Sequence, residues 1–365
     1  MTEDSESKPG TDRRLVDLRG LGGRDTVPTT SARLDLNIGA TAPRLPDDWA
    51  RRIECSLRPY GSEDAHQLRQ AIAAAVNRQH RSEVDASNIV LGAGSMALLR
   101  AAVEDYVHVD GCVVLSTPGY QGMRRLCQAL GARTVLVPRD SNGHLDVAAI
   151  VNAIGDSPAT LIALNHPVNP TGGTELLTQV TELVQAAPTA GVIVDEAYWE
   201  YSGLPSTLDV EQDLTRVIVT RTFSKARGLA GLRLGYAITD AGRVTRWMAQ
   251  QIPGAISGVT QELALMALEE SDRDFGARVR STIDARERIA QAVHEAWGVT
   301  PLPSAANFVF VPLGDGAEAR WRLLADQGVF VRLLRNEPGL TDGVRISVGS
   351  EDENARLIAA LGHAG

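Results

Sequence analysis

The sequence predicts an α/β protein: a mostly parallel, seven-stranded sheet buried between helices, followed by a smaller α+β unit. Three observations carry this. Seven short, β-branched apolar runs alternate with helical segments, at 88–91, 112–116, 134–138, 160–165, 191–195, 217–220 and 234–238. The runs are continuously apolar rather than alternating, which suits strands covered on both faces. After about residue 240 the pattern changes. Val279, Ile283, Ile289, Val293 and Trp297 mark one face of a long amphipathic helix, and shorter strands follow at 308–312, 329–333 and 344–348 with a helix at 317–327 between them. The expected organisation is an arm at 1–30 that is polar, Gly-rich and flexible, a large domain at 31–250 whose first part also serves the arm and small domain, and a small C-terminal domain at 251–365.

Composition narrows the function. The chain has 365 residues, 44% of them hydrophobic and 22% charged, enough for a substantial core. With 36 basic and 45 acidic residues the formal net charge is -9, which disfavours a phosphate backbone as partner. No apolar run reaches the ~18 residues of a membrane span, and the acidic start Thr2-Glu3-Asp4 is not a secretory leader. The three cysteines form no CxxC and suit a reducing cytoplasm, and the seven histidines include no HExxH or HxH, so no metal site is indicated. The expectation is a cytoplasmic protein acting on small molecules, with neither nucleic acid nor membrane as partner.

Chemistry gathers where strands end. Lys225, in Thr222-Phe223-Ser224-Lys225-Ala226, follows a buried strand. Desolvation there lowers an ammonium pKa and frees the amine to form a Schiff base with a carbonyl. Alone, it is also what an ordinary surface lysine on a turn looks like. Asn169, before Pro170 in Asn165-His166-Pro167-Val168-Asn169-Pro170-Thr171-Gly172, is restricted to extended backbone, and its amide can face a ligand oxygen or merely close a turn. Asp195, at the end of Val192-Ile193-Val194-Asp195, is an expensive buried charge that needs a cation, unless it caps a helix. Gly94, Ser95 and Met96 join a strand to a helix whose free N–H groups attract phosphate; Thr222, Ser224 and Arg233 could help hold one. Tyr120, in the loop after the next strand, can stack on a planar ring or simply pack. In combination these residues supply partners for a ring oxygen, a ring nitrogen, an aldehyde and a phosphate, which are the handles of pyridoxal 5'-phosphate.

From about residue 34 to the C-terminus the chain resembles fold-type I pyridoxal-phosphate-dependent enzymes of the class I/II aminotransferases, most closely the histidinol-phosphate aminotransferase group. The resemblance rests on Asn169-Pro170-Thr171-Gly172, Asp195-Glu196-Ala197-Tyr198, Ser224-Lys225-Ala226, Gly231-Leu232-Arg233-Leu234-Gly235, Asn307 and Arg345-Ile346-Ser347-Val348-Gly349. It implies that Lys225 carries the cofactor and that Asp195 pairs with its ring nitrogen. Asn169 and Tyr198 would bind the ring hydroxyl, and Tyr120 would stack on the ring. Gly94, Ser95, Met96, Thr222 or Ser224, and Arg233 would hold the phosphate. Tyr60, in Arg58-Pro59-Tyr60-Gly61, would reach the phosphate of a second subunit, implying a homodimer with shared active sites. Arg345 would pair with a substrate carboxylate, while Asn37, Asn307 and Arg332 would line the substrate space. Two segments depart from the group's pattern: Asp35-Leu36-Asn37-Ile38-Gly39 lacks an acid, and Met96-Ala97 stands where an acidic pair is usual.

The resulting expectation is ping-pong transfer of an amino group between an L-amino acid, or an amine like histidinol phosphate, and a 2-oxo acid. A polar donor with an imidazole- or guanidine-like side chain fits the altered Asn37 segment. The alternatives on the same residues are a decarboxylase of the threonine-phosphate type or an oxidase or cyclase. A DNA-binding regulator with this domain is disfavoured, since only about 30 residues precede the matched region and the chain is acidic.

Overall fold

The computed structural model describes residues 31–80, 82–107, 111–140, 143–155, 160–175, 177–211 and 213–362. The arm expected at 1–30 lies outside them.

Among the described residues, twelve strands form three sheets. After β1 (Ala32–Arg33), the central sheet comprises β2 (Ile89–Gly92), β3 (Cys112–Thr117), β4 (Arg133–Pro138), β5 (Thr160–Asn165), β6 (Gly191–Asp195), β7 (Val217–Thr222) and β8 (Gly235–Ile238). Their order is β2-β8-β7-β6-β5-β3-β4. Only β8 runs against its two neighbours, so the sheet is mostly parallel, as the apolar runs predict. Alternate residues along the strands feed two cores. Val114, Ile162, Val192, Val194 and Val219 pack on one face, with helices His66–Gln79, Val147–Ile154 and Leu177–Ala186. Val113, Leu115, Leu161, Ile193 and Ile218 pack on the other, with helix Ser95–Val107. Each of these buried aliphatic side chains contributes roughly 1.5–3 kcal/mol relative to exposure. β4 is one edge of the sheet, and its burial is mixed; β2, the other edge, is buried.

The C-terminal strands are β9 (Phe308–Pro312), β10 (Val329–Phe330), β11 (Arg332–Leu334) and β12 (Gly343–Ser347). β11, β12 and β9 form an antiparallel sheet in that order. Its core includes Val309, Val311, Val344 and Ile346, with Ile289 and Val293 from helix Asp272–Trp297 and Leu357 from helix Glu351–Gly362. The long helix starts where Ser271 Oγ accepts from the Asp274 N–H at 3.1 Å and stops at Gly298, whose φ of 65° suits glycine.

One element differs from expectation. The run at 329–333 is two strands, not one. Val329 and Phe330 pair in parallel with β1, while Arg332–Leu334 pairs with β12. At the break, the Val331 carbonyl accepts from Trp321 Nε1 at 2.9 Å. The segment after β1 therefore leaves the C-terminal layer and crosses toward the end of β7, where Gly39 N–H donates to the Ser224 carbonyl at 3.3 Å. No helix among the described residues is long and apolar enough to cross a membrane.

Candidate active site

The carboxyl ends of β5, β6 and β7 lie side by side, in the register Asn165↔Asp195 and Asp195↔Thr220. Parallel strands with helical crossovers deliver their following loops to one rim, where ligands bind in open α/β sheets. Lys225 comes from the turn after β7, Asp195 ends β6, and Asn169 stands four residues beyond β5.

Asp195 is 6% exposed and accepts from Thr220 Oγ1 at 3.0 Å. Burial pushes its carboxyl up to about 6, against the lowering effect of Thr220, the Ala197 N–H and Lys225. Lys225 moves the other way. Burial, with Arg345 and Arg233 nearby, brings its amine down to about 7, although Asp195 opposes the shift. Its Nζ donates to the Asn37 carbonyl and lies 5.4 Å from the centroid of the Tyr198 ring. An amine with a pKa near neutrality has the chemistry that a nucleophile or proton carrier needs.

Tyr198 collects the polar groups around that amine. Its hydroxyl accepts from Asn37 Nδ2 at 2.7 Å and from Asn169 Nδ2 at 3.1 Å. Its ring stands edge-on to Phe308 at 5.3 Å, and burial holds its hydroxyl well above the usual phenol range. Arg345 Nη1 donates to Asn169 Oδ1 at 2.8 Å, and Nη2 to the Asp35 carbonyl at 3.2 Å. Arg345 is 9% exposed, and its buried Nε has no hydrogen-bond partner in the described structure; Asn307 Oδ1 is in the same position. Asn307 Nδ2 donates to the Ile38 carbonyl at 2.9 Å. Asn37, at φ 53°, therefore touches both the lysine and the tyrosine. Arg332 is the cross-strand partner of Arg345, on the same face of the C-terminal sheet, and is one of the charges that lower Arg345.

The groups predicted for a phosphate meet at the start of helix Ser95–Val107. Gly94 has φ +79°, and a Cβ there would lie 2.8 Å from Arg233 Nη2. A Cβ on Gly235 would meet Ser95 N at 2.5 Å, so glycine at the start of β8 lets the helix N-terminus close over the sheet. Thr222 pairs with Gly235, and Ser224 N–H donates to Thr222 Oγ1 at 3.1 Å. Gly94, Ser95, Met96, Thr222, Ser224 and the exposed Arg233 thus form one cup. Tyr120 precedes helix Gln121–Ala129 and lines, with Asp195, a small cleft. Tyr60 is 101% exposed in the segment between helices Trp49–Leu57 and His66–Gln79.

The donor set fits a phosphorylated pyridine aldehyde. Among the described residues no arginine forms an ion pair with Asp195, so once Lys225 is engaged with an aldehyde a protonated ring nitrogen would supply its cation; the cup offers N–H donors and a guanidinium to a phosphate. Sequence reasoning missed two supports. Thr220 fixes the Asp195 carboxylate, and Asn165 Oδ1 accepts the Tyr120 N–H at 3.2 Å. Asn165 was findable, because it ends β5 as Asp195 ends β6.

Comparisons agree with this arrangement. The family model described as "Aminotransferase class I and II" matches residues 35–361. A histidinol-phosphate aminotransferase of Ruminiclostridium cellulolyticum is 28% identical, covering 90% of this chain and 92% of its own. Histidinol-phosphate aminotransferase 1 of Psychrobacter arcticus is 33% identical, covering 84% and 80%. Among solved structures, histidinol-phosphate aminotransferase from Sinorhizobium meliloti, in complex with pyridoxal-5'-phosphate, superposes with a TM-score of 0.78 at 29% identity, covering 92% and 90%. The chain belongs to the class I and II aminotransferases, in the histidinol-phosphate aminotransferase group, and is a pyridoxal-phosphate-dependent enzyme.

Proposed function

We propose that the enzyme takes the amino group of histidinol phosphate, or of a closely similar polar amine, and passes it to a 2-oxo acid in two half-reactions. The observation that carries this reading is the convergence of Lys225, Asp195, the Asn37–Tyr198–Asn169 chain and Arg345 at one rim of the sheet. The names of the relatives support the donor, and so does a second arginine, Arg332, across the strand from Arg345.

Pyridoxal phosphate, when bound, supplies an aldehyde for amine exchange and a ring that accepts electrons from the donor carbon. The chain's own residues do the rest. Lys225 Nζ would hold the aldehyde, and in the neutral form that burial favours it can take the donor Cα proton and return it. Asp195, oriented by Thr220, would pair with the ring nitrogen and keep it protonated. Asn169 and Tyr198 would bind the ring hydroxyl, and Tyr120 would stack on the ring. Gly94, Ser95, Met96, Thr222, Ser224 and Arg233 would hold the phosphate. Arg345 binds the carboxylate of the oxo acid with its planar fork, and Asn37 and Asn307 shape the space beside it. Arg332 meets the donor's phosphate. Tyr60, fully exposed here, reaches the phosphate cup of a second copy, so the working form is a homodimer in the cytoplasm.

The test adds amino donors singly to the cofactor-loaded enzyme while the visible band is followed. Histidinol phosphate should convert the band to the amine form of the cofactor without gas exchange, and 2-oxo acid should restore it. Release of carbon dioxide or uptake of oxygen would overturn transamination. Conversion by unphosphorylated amino acids alone would overturn the donor.

A further inference from the structure

Behind Asp195 and Lys225 lies a second buried charged group that the reaction does not use. Glu196 follows Asp195, and Arg221 follows Thr220. The β6–β7 ladder continues one step, with Glu196 N–H donating to the Thr220 carbonyl at 2.8 Å. Side chains alternate across a sheet, so Glu196 and Arg221 point to the face opposite Asp195 and Thr220. There Arg221 Nε and Nη2 donate to Glu196 Oε2 at 3.1 and 2.8 Å, with side chains 1% and 0% exposed. Ser206 Oγ and Thr207 N–H complete the carboxylate, at 2.8 and 2.7 Å. The guanidinium also donates to His80 Nε2 at 2.9 Å and lies 4.3 Å from the Trp199 ring centroid. His80 Nδ1 faces the Asp209 carboxylate at 3.1 Å. With Nε2 accepting from Arg221, the imidazole is the neutral tautomer carrying its proton on Nδ1.

A buried ion pair is a poor source of stability, since apolar replacements often do as well. Its geometry here does something else: it rivets together the two strands that end in the cofactor's charged partners. We propose that Glu196 and Arg221 are positioning residues, which lock Asp195 against Thr220 and brace the Lys225 turn while cancelling each other's charge at the cofactor. Glu196 alone would add a negative charge beside Asp195, and Arg221 alone a positive one. The other groups facing the pair are Glu200 from the turn after Asp195, Tyr236 from β8 and His166 from the loop after β5. The inference rests on the family's cofactor and not on the identity of the amino donor.

The experiment compares Glu196→Gln, Arg221→Met, the double variant and Arg221→Lys as cofactor-loaded proteins. Three quantities are read: the pH midpoint of the visible band of bound pyridoxal phosphate, its dissociation constant, and the thermal midpoint. Glu196→Gln leaves a positive charge and should lower the pH midpoint. Arg221→Met leaves a negative charge and should raise it. Each shift should be roughly half a unit or more, as for an uncompensated charge in a poorly screened interior. The double variant should return near the parent midpoint. Arg221→Lys should keep the midpoint but loosen the cofactor several-fold, because a point charge replaces the fork. Shifts of the same sign, or a lowered thermal midpoint with pH midpoint and dissociation constant unchanged, would reduce the pair to a structural filler and overturn the proposal. If Arg221→Met does not fold, Arg221→Lys and Glu196→Gln decide: an unchanged dissociation constant in the first and an unmoved midpoint in the second would overturn it equally.

Discussion

Asp195 and Glu196 are consecutive and both buried, at 6% and 0% exposure, yet their carboxyl groups are shifted in opposite directions. Burial dominates at Asp195 and pushes it up to about 6, because Thr220 and a backbone N–H offer it only neutral donors. Burial also raises Glu196, but Arg221 and the Thr207 N–H outweigh it and hold that group below the usual carboxylate range. The chain supplies a guanidinium to the carboxylate on one face of the sheet and only neutral hydrogen-bond donors to the carboxylate on the other, where a protonated ring nitrogen would complete the pair. What distinguishes a site residue from a structural one, one position apart, is whether the fold has already satisfied it.

The largest test of that contrast removes the amine facing Asp195. Lys225→Ala should cut transamination by about 10³-fold or more, since both the covalent anchor and the proton carrier are lost. The visible band of lysine-bound cofactor should vanish while the far-ultraviolet spectrum stays unchanged. A variant with activity near the parent's would mean that the base lies elsewhere in the cluster.

Asp195→Asn comes next, with an expected loss of about 10²-fold in turnover, because a neutral amide cannot hold the ring nitrogen protonated. It also has a signature in stability. The folded pKa of Asp195 lies above its unfolded value, so its contribution is fully present below the ordinary carboxylate value of 3.8 and is lost as pH rises through about 6. In protein freed of cofactor, that slope amounts to about 3 kcal/mol between those limits, from a shift of roughly two units. Denaturant melts at pH 4 and pH 7 should show the parent losing more stability than Asp195→Asn over this interval. Equal losses would mean that Asp195 is better solvated than its 6% exposure suggests. Glu196, already ionised against Arg221, should show no such loss over the same interval.

Arg345→Lys tests the substrate side. Arg345 already donates to Asn169 and to the Asp35 carbonyl, so its guanidinium plane is fixed before any substrate arrives. Replacing the fork with a point charge should raise KM for the oxo acid roughly 10- to 100-fold, the worth of one or two charge-assisted hydrogen bonds. The parent cofactor spectrum should survive. A change in kcat alone would place Arg345 at the cofactor instead.

The same contrast explains what could be read from the sequence. The central sheet was legible because β5, β6 and β7 are covered on both faces and so carry continuous apolar runs up to their polar carboxyl ends. Lys225, Asp195, Asn169 and Arg233 were legible because each follows or joins such a strand. The division of 329–333 into two strands was not, because pairing with Ala32–Arg33 is a contact across almost the whole chain length that no local pattern encodes. The pairing of Asn37 with Tyr198 and Lys225 depends on that crossing, so Asn37 was visible only through the resemblance. The Glu196–Arg221 pair was overlooked because the motifs draw the eye to their neighbours, and only the β6–β7 register brings the two charges together.

Arg332 carries the smallest expected effect and bears on the donor most directly. It faces the same side of the C-terminal sheet as Arg345, directly across the strand, and two guanidinium groups in that relation favour an anion between or beside them. Its presence helps lower Arg345, so removing it relieves a repulsion as well as deleting a ligand. Arg332→Gln should therefore act selectively. KM for histidinol phosphate should rise about tenfold, the worth of one charge-assisted contact, while KM for the oxo acid stays level or falls slightly as Arg345 is freed from its like-charged neighbour. Measuring both half-reactions separately reads the two effects apart. Equal changes for the phosphorylated donor and for its unphosphorylated analogue would remove the phosphate role from Arg332 and leave donor recognition to the residues around Asn37.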